Sequence, residues 1–215
     1  MGKTVQAIAI SYLYRKDWPV LVIVPSSLKH QWRDEILRWL DFLPAQQVQI
    51  VNSLKDKLEN CMYTIVSYSL ASKMHHLISR MKFQIVIADE AHYLKSMHSK
   101  RALKLVPLLK KFKRVLLLTG TPLLGRPQEL YNLLKILRPD LLTRFVDFGC
   151  RYAKPRRSQY GIDWSGTSMA TELHLLLSKS LMIRRLKSEV LSELPTKRRQ
   201  QVRIPIDSHR IKAIQ

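Results

Sequence analysis

Negative charge is scarce in this chain: its 215 residues carry 16 Asp and Glu against 37 Lys and Arg, a formal net charge of +21. An excess of that size excludes an acidic surface and draws polyanions, with nucleic acid the default partner. The alternative is a generally basic protein whose cations only solvate its faces. Cysteine is almost missing. Cys61 and Cys150 are too few for a disulfide framework and have no metal-ligand spacing, which points to a reducing compartment, and the seven His form no clustered metal pattern. There is no uninterrupted run of about 18 apolar residues and no signal-peptide layout, so the sequence reads as soluble, intracellular and without a membrane partner. Internal repeats and low-complexity tracts are lacking too. What is present is ordinary for a globular protein: 46% hydrophobic and 25% charged residues, over a length that suits one domain or one domain with a partial second.

The positive charge is blocked. No acid occurs between Glu90 and Glu129, whereas Lys95, Lys100, Arg101, Lys104, Lys110, Lys111, Lys113, Arg114 and Arg126 all fall there. A second block, Arg151, Lys154, Arg156 and Arg157, sits beside tyrosines in "RYAKPRRSQYG", and a third is "IRRLKSEVLSELPTKRRQQVR". Cations among aromatics suit phosphate contact with base stacking.

Short apolar runs alternate with helical periodicity. A helix is predicted from Thr4 through Val5, Ile8, Ala9, Tyr12 and Leu13, and a second through Leu28, Trp32, Ile36, Trp39 and Leu40, with Ser26 or Ser27 available as N-cap. Strands are predicted at "PVLVIVPSS" and over residues 48–51, 63–68, 84–89 and 114–120. Near-continuous apolar strands alternating with helices predict an α/β, doubly wound parallel sheet covered on both faces, over residues 1–138. Ligands of such sheets bind at the carboxyl ends of the strands, where "PSS", "SYS", "DEAH" and "TGT" fall. Residues 139–195 read as a helical appendage in two pieces separated by the stretch 155–168, and residues 196–215 as a last strand or the start of a linker.

Three motifs carry chemistry. Gly2-Lys3-Thr4 matches the end of the phosphate-binding loop G-x-x-x-x-G-K-[ST], in which the Lys reaches the β/γ-phosphates and the hydroxyl holds Mg²⁺; the alternative is a solvated N-terminus entering a helix. Asp89 and Glu90 of "DEAH" follow a buried strand, as the metal-holding Asp and water-polarising Glu of a nucleotide hydrolase do, or as a pair capping the next helix would. Thr119, Gly120 and Thr121 form a small, hydroxyl-rich turn able to approach both that pair and a bound strand.

In this order and spacing, "GKT", "VPSSLKHQW", "VSYSL", "DEAH" and "LTGTP" resemble motifs I, Ia, Ib, II and III of the first RecA-like lobe of the Snf2 family of superfamily 2 DNA translocases. The resemblance runs from Met1 to about Asp207. "LTGTPLLGRPQELYNLL", "YGIDWSGTS" and "LMIRRLKSEVLSELPTKRRQ" are most similar to its annealing-helicase branch. It implies a P-loop NTPase lobe (residues 1–138) with a helical protrusion, ATP and Mg²⁺ as cofactors, forked or branched DNA as partner, and a nuclear location. It also implies replication-fork proteins recruited through domains outside this sequence. By the same resemblance Gly2, Lys3 and Thr4 bind ATP, Thr4 and Asp89 hold Mg²⁺, Glu90 and Asp89 are catalytic, and His92, Thr119, Gly120 and Thr121 couple nucleotide state to DNA. Ser26, Ser27, Leu28, Lys29, Ser67 and Tyr68 lie along one DNA strand. The appendage's basic residues add phosphate contacts.

Against the family pattern, the strand and most of the phosphate loop that precede "GKT" are not in this sequence. Nor is the second lobe whose arginines stabilise the transferring phosphate, a contribution of roughly 10³ to 10⁵ in rate. The expectation is therefore an excerpt of a larger ATPase with negligible hydrolysis on its own. The alternative is a non-catalytic nucleic-acid-binding fragment, and a DEAH-type RNA helicase is the weaker third reading.

Overall fold

The computed structural model describes residues 2–120, 126–140, 144–159, 161–185 and 200. The chain divides into two compact units, Met1–Leu176 and Leu177–Gln215. The first opens with helix α1 (Lys3–Leu13) and continues β1 (Val20–Val24), α2 (Lys29–Trp39), β2 (Val48–Ile50), β3 (Tyr63–Ser67), α3 (Tyr68–Lys73), α4 (His75–Arg80), β4 (Ile85–Ala88), α5 (Lys100–Leu109), β5 (Arg114–Leu117) and α6 (Gln128–Leu137). Then follow α7 (Phe145–Tyr152), β6 (Arg156–Ser158), β7 (Gly161–Asp163) and α8 (Ala170–Ser180), the last of which runs into the second unit. Helix α8 falls in the second helical piece expected; the rest of that piece over residues 186–195 and, apart from residue 200, the strand or linker expected over residues 196–215 lie outside the described residues.

Strands β1 to β5 form one wholly parallel sheet in the order β2-β3-β1-β4-β5. The strand sequences explain its two covered faces. In β1, Leu21 and Ile23 join the core beneath α3, α4, α5 and α6, while Val20, Val22 and Val24 join the core beneath α1 and α2. This period-2 division is what a strand between two helical layers requires. β1, β3 and β4 are buried along their whole length, whereas β5 is only half-buried, because it is an edge strand of the sheet described here.

The register sets the ends of the strands level. Val24 is opposite Ser67, Ile23 is opposite Ala88, and Ala88 is opposite Leu117. Whatever follows these four strands therefore shares one edge.

One expectation is corrected. Neither Ser26 nor Ser27 caps α2 through its side chain; both belong to a 3₁₀ turn, Ser26–Leu28, closed by Leu28 N–H donating to the Pro25 carbonyl at 3.0 Å, and Leu28 precedes the helix. Within the separator 155–168, β6 and β7 pair as an antiparallel hairpin. Trp164 follows the hairpin and packs on α7 where Gly149 makes room: a Cβ on Gly149 would lie 2.6 Å from the indole ring. Tyr131 of α6 meets Phe145 and Phe148 of α7, at ring-centroid distances of 5.1 and 5.6 Å.

Candidate functional site

The turn after β4 is the centre of the carboxyl edge. Asp89 N–H donates to the Ile23 carbonyl at 2.9 Å and Ala91 N–H to the Leu118 carbonyl at 2.8 Å, so the turn is stitched to β1 on one side and to the continuation of β5 on the other. Between these anchors Glu90 has φ 50° and ψ 49°, the left-handed region that a residue with a Cβ rarely adopts. Its conformation is imposed by its neighbours, a common arrangement at functional turns.

Asp89 is buried and its carboxylate is fully oriented. Oδ1 accepts the Glu90 N–H at 2.9 Å, and Oδ2 accepts the Trp32 indole N–H at 3.0 Å. The Asp89 carbonyl accepts the Tyr68 phenol at 2.7 Å. Burial, then the Asp89 charge, pushes the Tyr68 phenol well above its usual range, so it stays protonated and donates.

Glu90 collects the neighbouring charges. Lys3 Nζ lies 4.0 Å from its Oε1 and His92 Nδ1 3.1 Å from its Oε2. The His92 contact is close but outside hydrogen-bond angles, and buried Nδ1 makes no hydrogen bond. Lys3 also lies 3.6 Å from where a Gly120 Cβ would stand, so the sequence-distant "GK" and "TG" meet at one place. Lys3 heads α1, whose N-terminal Gly2 is left-handed at φ 68° with no side-chain cap and no acid in the first turn. Open N–H groups and the positive end of the helix dipole, with a Lys beside them, suit an anion.

Lys3, Asp89, Glu90, His92 and Gly120 are thus brought to one edge, with half-buried Thr4 and Thr119 adjoining in sequence. Thr121 lies outside the described residues. The expected DNA set divides. Ser26 and Ser27 are exposed and Leu28 is half-buried, whereas Lys29, Ser67 and Tyr68 are buried and spend polar atoms on partners within the fold. Lys29 Nζ donates to the Val51 carbonyl at 3.0 Å and to Asn52 Oδ1, Ser67 Oγ caps α3 by accepting the Leu70 N–H, and Tyr68 holds Asp89. Trp32 was legible only as an apolar position in a helical stripe. The one available signal was that a buried indole N–H needs a partner.

The donor set was tested against Mg²⁺. Among the described residues no three His, Cys, Asp or Glu form a metal cage. One fixed carboxylate with lone pairs to spare, on the same sheet edge as a helix start suited to an anion, fits a cation whose remaining ligands are phosphate and water, as Mg²⁺ with nucleotides prefers. The cavity of 340 Å³ beside Ile10, Tyr14, Lys113 and Arg114 is at the amino end of β5, away from this cluster.

A parallel sheet with an anion-binding helix start and a paired carboxylate turn at its carboxyl edge defines a RecA-like lobe. The chain matches the SNF2-related domain over residues 1–215 and belongs to that family. It is 46% identical over 202 residues to the SWI/SNF-related matrix-associated actin-dependent regulator of chromatin subfamily A-like protein 1 of Xenopus tropicalis, covering 94% of this chain and 21% of that protein. It is 40% identical over 217 residues to the DNA annealing helicase and endonuclease ZRANB3 of Homo sapiens, covering 96% and 20%. The chain therefore spans about a fifth of the length of these relatives. The Sulfolobus solfataricus SWI2/SNF2 ATPase core in complex with dsDNA shares the fold at a TM-score of 0.70 and 24% identity, over 90% of this chain and 40% of that one.

Proposed function

We propose that this chain is the nucleotide-binding lobe of a Snf2-type, DNA-dependent ATPase that remodels forked DNA or anneals its strands. The observation that carries the reading is the meeting of Lys3, Glu90 and Gly120 beside a fixed Asp89. The relatives' names, an annealing helicase among them, support the DNA reaction, as does a solved neighbour bound to dsDNA.

When bound, Mg–ATP supplies a terminal phosphoryl group whose charge the ion partly neutralises. Lys3 and the open N–H groups of α1 bind its phosphates, and Thr4 and Asp89 are the residues that would hold the ion. Glu90 orients the attacking water, with its carboxylate kept near the phosphates by Lys3 and His92. Ser26 and Ser27, exposed on the turn after β1, and the cations of α5 and the hairpin meet the DNA backbone, giving sequence-independent, salt-sensitive binding. Such work implies a nuclear location and replication-fork proteins as partners.

The test is Glu90→Gln in the whole protein that carries this lobe. DNA-stimulated hydrolysis is expected to disappear while nucleotide binding persists. Normal turnover in that variant refutes the role of Glu90.

A further inference from the structure

We propose that Trp32 and Tyr68 are positioning residues for the metal-holding carboxylate, fixing the Asp89–Glu90 turn from opposite faces of the sheet; this rests on the nucleotide-lobe reading above. Trp32 belongs to the layer of α1 and α2, and Tyr68 to the layer of α3 to α6. Each spends its only strong donor on Asp89: the indole on Oδ2 at 3.0 Å, the phenol on the main-chain carbonyl at 2.7 Å.

Packing alone does not demand these partners. The indole of Trp18, adjoining the same core, is satisfied by the Ser11 carbonyl at 2.8 Å, and that of Trp39 by Glu35 at the surface. Trp32, at 1% exposure, instead donates to a carboxylate 57 residues away, which selects one rotamer for Asp89 and assigns one of its oxygens. Tyr68 opens α3 directly after β3, which lies one strand removed from β4, so its phenol reaches past the end of β1 to the carbonyl that precedes left-handed Glu90. One bond thus sets the carboxylate and the other sets the peptide leading to Glu90. Such partners of a metal ligand tune affinity for the ion, and their loss costs about 10-fold or more.

The two contacts also join three strand ends. Trp32 lies one helical turn beyond the exposed Ser26–Leu28 turn, and Tyr68 follows Ser67 directly. A displacement of either segment is felt at Asp89 through a single rigid side chain.

The test uses Trp32→Phe, Tyr68→Phe and Asp89→Asn in the whole protein that carries this lobe, with a fluorescent ATP analogue titrated in Mg²⁺ and in EDTA, and thermal melting in parallel. The Mg²⁺ concentration for half-maximal nucleotide binding is expected to rise about 10-fold in Trp32→Phe and also to rise in Tyr68→Phe, with affinity in EDTA unchanged. A lowered melting temperature with unchanged Mg²⁺ dependence in both variants overturns the proposal and leaves the two rings as packing. If Asp89→Asn shifts the Mg²⁺ dependence and neither ring variant does, positioning fails while the nucleotide reading stands. If Asp89→Asn shifts nothing, or the unsubstituted whole protein binds nucleotide without regard to Mg²⁺ or not at all, the nucleotide reading fails and this proposal with it. Should Trp32→Phe not fold, the indole ¹⁵N–¹H resonance of Trp32 decides: movement on adding Mg²⁺ with nucleotide supports positioning, and immobility refutes it.

Discussion

Glu90 is a residue whose best side chain for chemistry is a poor one for its backbone, and this makes a quantitative test. At φ 50° and ψ 49° a residue with a Cβ pays about 1–2 kcal/mol relative to the right-handed region. Glycine escapes that cost, but its freer unfolded chain returns about 0.4–1 kcal/mol. Glu90→Ala and Glu90→Gly lose the same contacts with Lys3 and His92, so those contacts cancel when the two variants are compared. The glycine variant is expected to be the more stable by about 0.5–1 kcal/mol, which is about 1–4 °C in a chain of this length. Thermal melting of both variants under one condition measures the difference, and in the whole protein that carries this lobe DNA-stimulated hydrolysis should be lost in both. At an ordinary position the sign is opposite, because alanine stabilises over glycine. An alanine variant equal to or more stable than the glycine variant refutes the claim that the turn is strained. The strain survives because Tyr68 pins the Asp89 carbonyl and Leu118 receives the Ala91 N–H. Adding Tyr68→Phe removes one pin and should narrow the gap.

Two further outcomes follow from contacts away from the site. Gly166→Ala would set a Cβ 2.9 Å from both the Ala153 and Lys154 carbonyls, which are backbone and cannot swing aside, so a loss of about 1–3 kcal/mol in thermal or urea unfolding is expected; an unchanged or raised midpoint refutes the close approach. Asp17 bridges Lys113 Nζ at 2.6 Å and Arg114 Nε at 2.7 Å, and the Lys113 hydrogen bond, then that of Arg114, holds its carboxyl below the ordinary 3.8. A lowered folded value means the ionised group stabilises the fold above pH 3.8 and loses that contribution as pH falls through the folded value. Asp17→Asn should therefore be less stable than the parent near pH 7 and converge with it in acid; a difference that persists below the folded value refutes the pairing.

The sheet was legible because its strands are apolar throughout and end in polar turns, and the observed strands fall within one to three residues of the ends expected. The helix-start expectation at Ser26 and Ser27 failed for a local reason, since a proline-led 3₁₀ turn lets the chain enter α2 without a side-chain cap. The hairpin of β6 and β7 was missed because three-residue strands carry too little alternation to register, and only Gly161, at φ 118°, marks it. Lys29 was placed along a DNA strand by its motif, and the internal partner of its ammonium, the Val51 carbonyl in the loop after β2, could not be read from that motif. Trp32 shows the deeper limit. Periodicity places its ring in the core, but the partner of its N–H depends on β1 and β4 being neighbours, and strand order is a property of the whole sheet.

Charge gives the site its isolation. From residue 60 to residue 128 the only acids are Asp89 and Glu90. That span supplies β3, α3, α4, β4, α5 and β5, so the layer of α3, α4 and α5 presents Lys73, Arg80, Lys100, Lys104 and Lys110 to solvent with no carboxylate among them. A bare cation approaching this surface is repelled everywhere except at the Asp89 turn, whereas a polyanion or a metal-bound nucleotide is attracted to it. Lys3 and His92 then flank Glu90, whereas Asp89, held by neutral donors from Trp32 and Tyr68, makes no ion pair among the described residues. A neutral hydrogen bond orients a carboxylate without cancelling its charge, which an ion pair would do. On the proposed reading the adjacent residues divide the labour: Asp89 is the carboxylate left open to a divalent ion, and Glu90, beside Lys3, is the one that would orient the water.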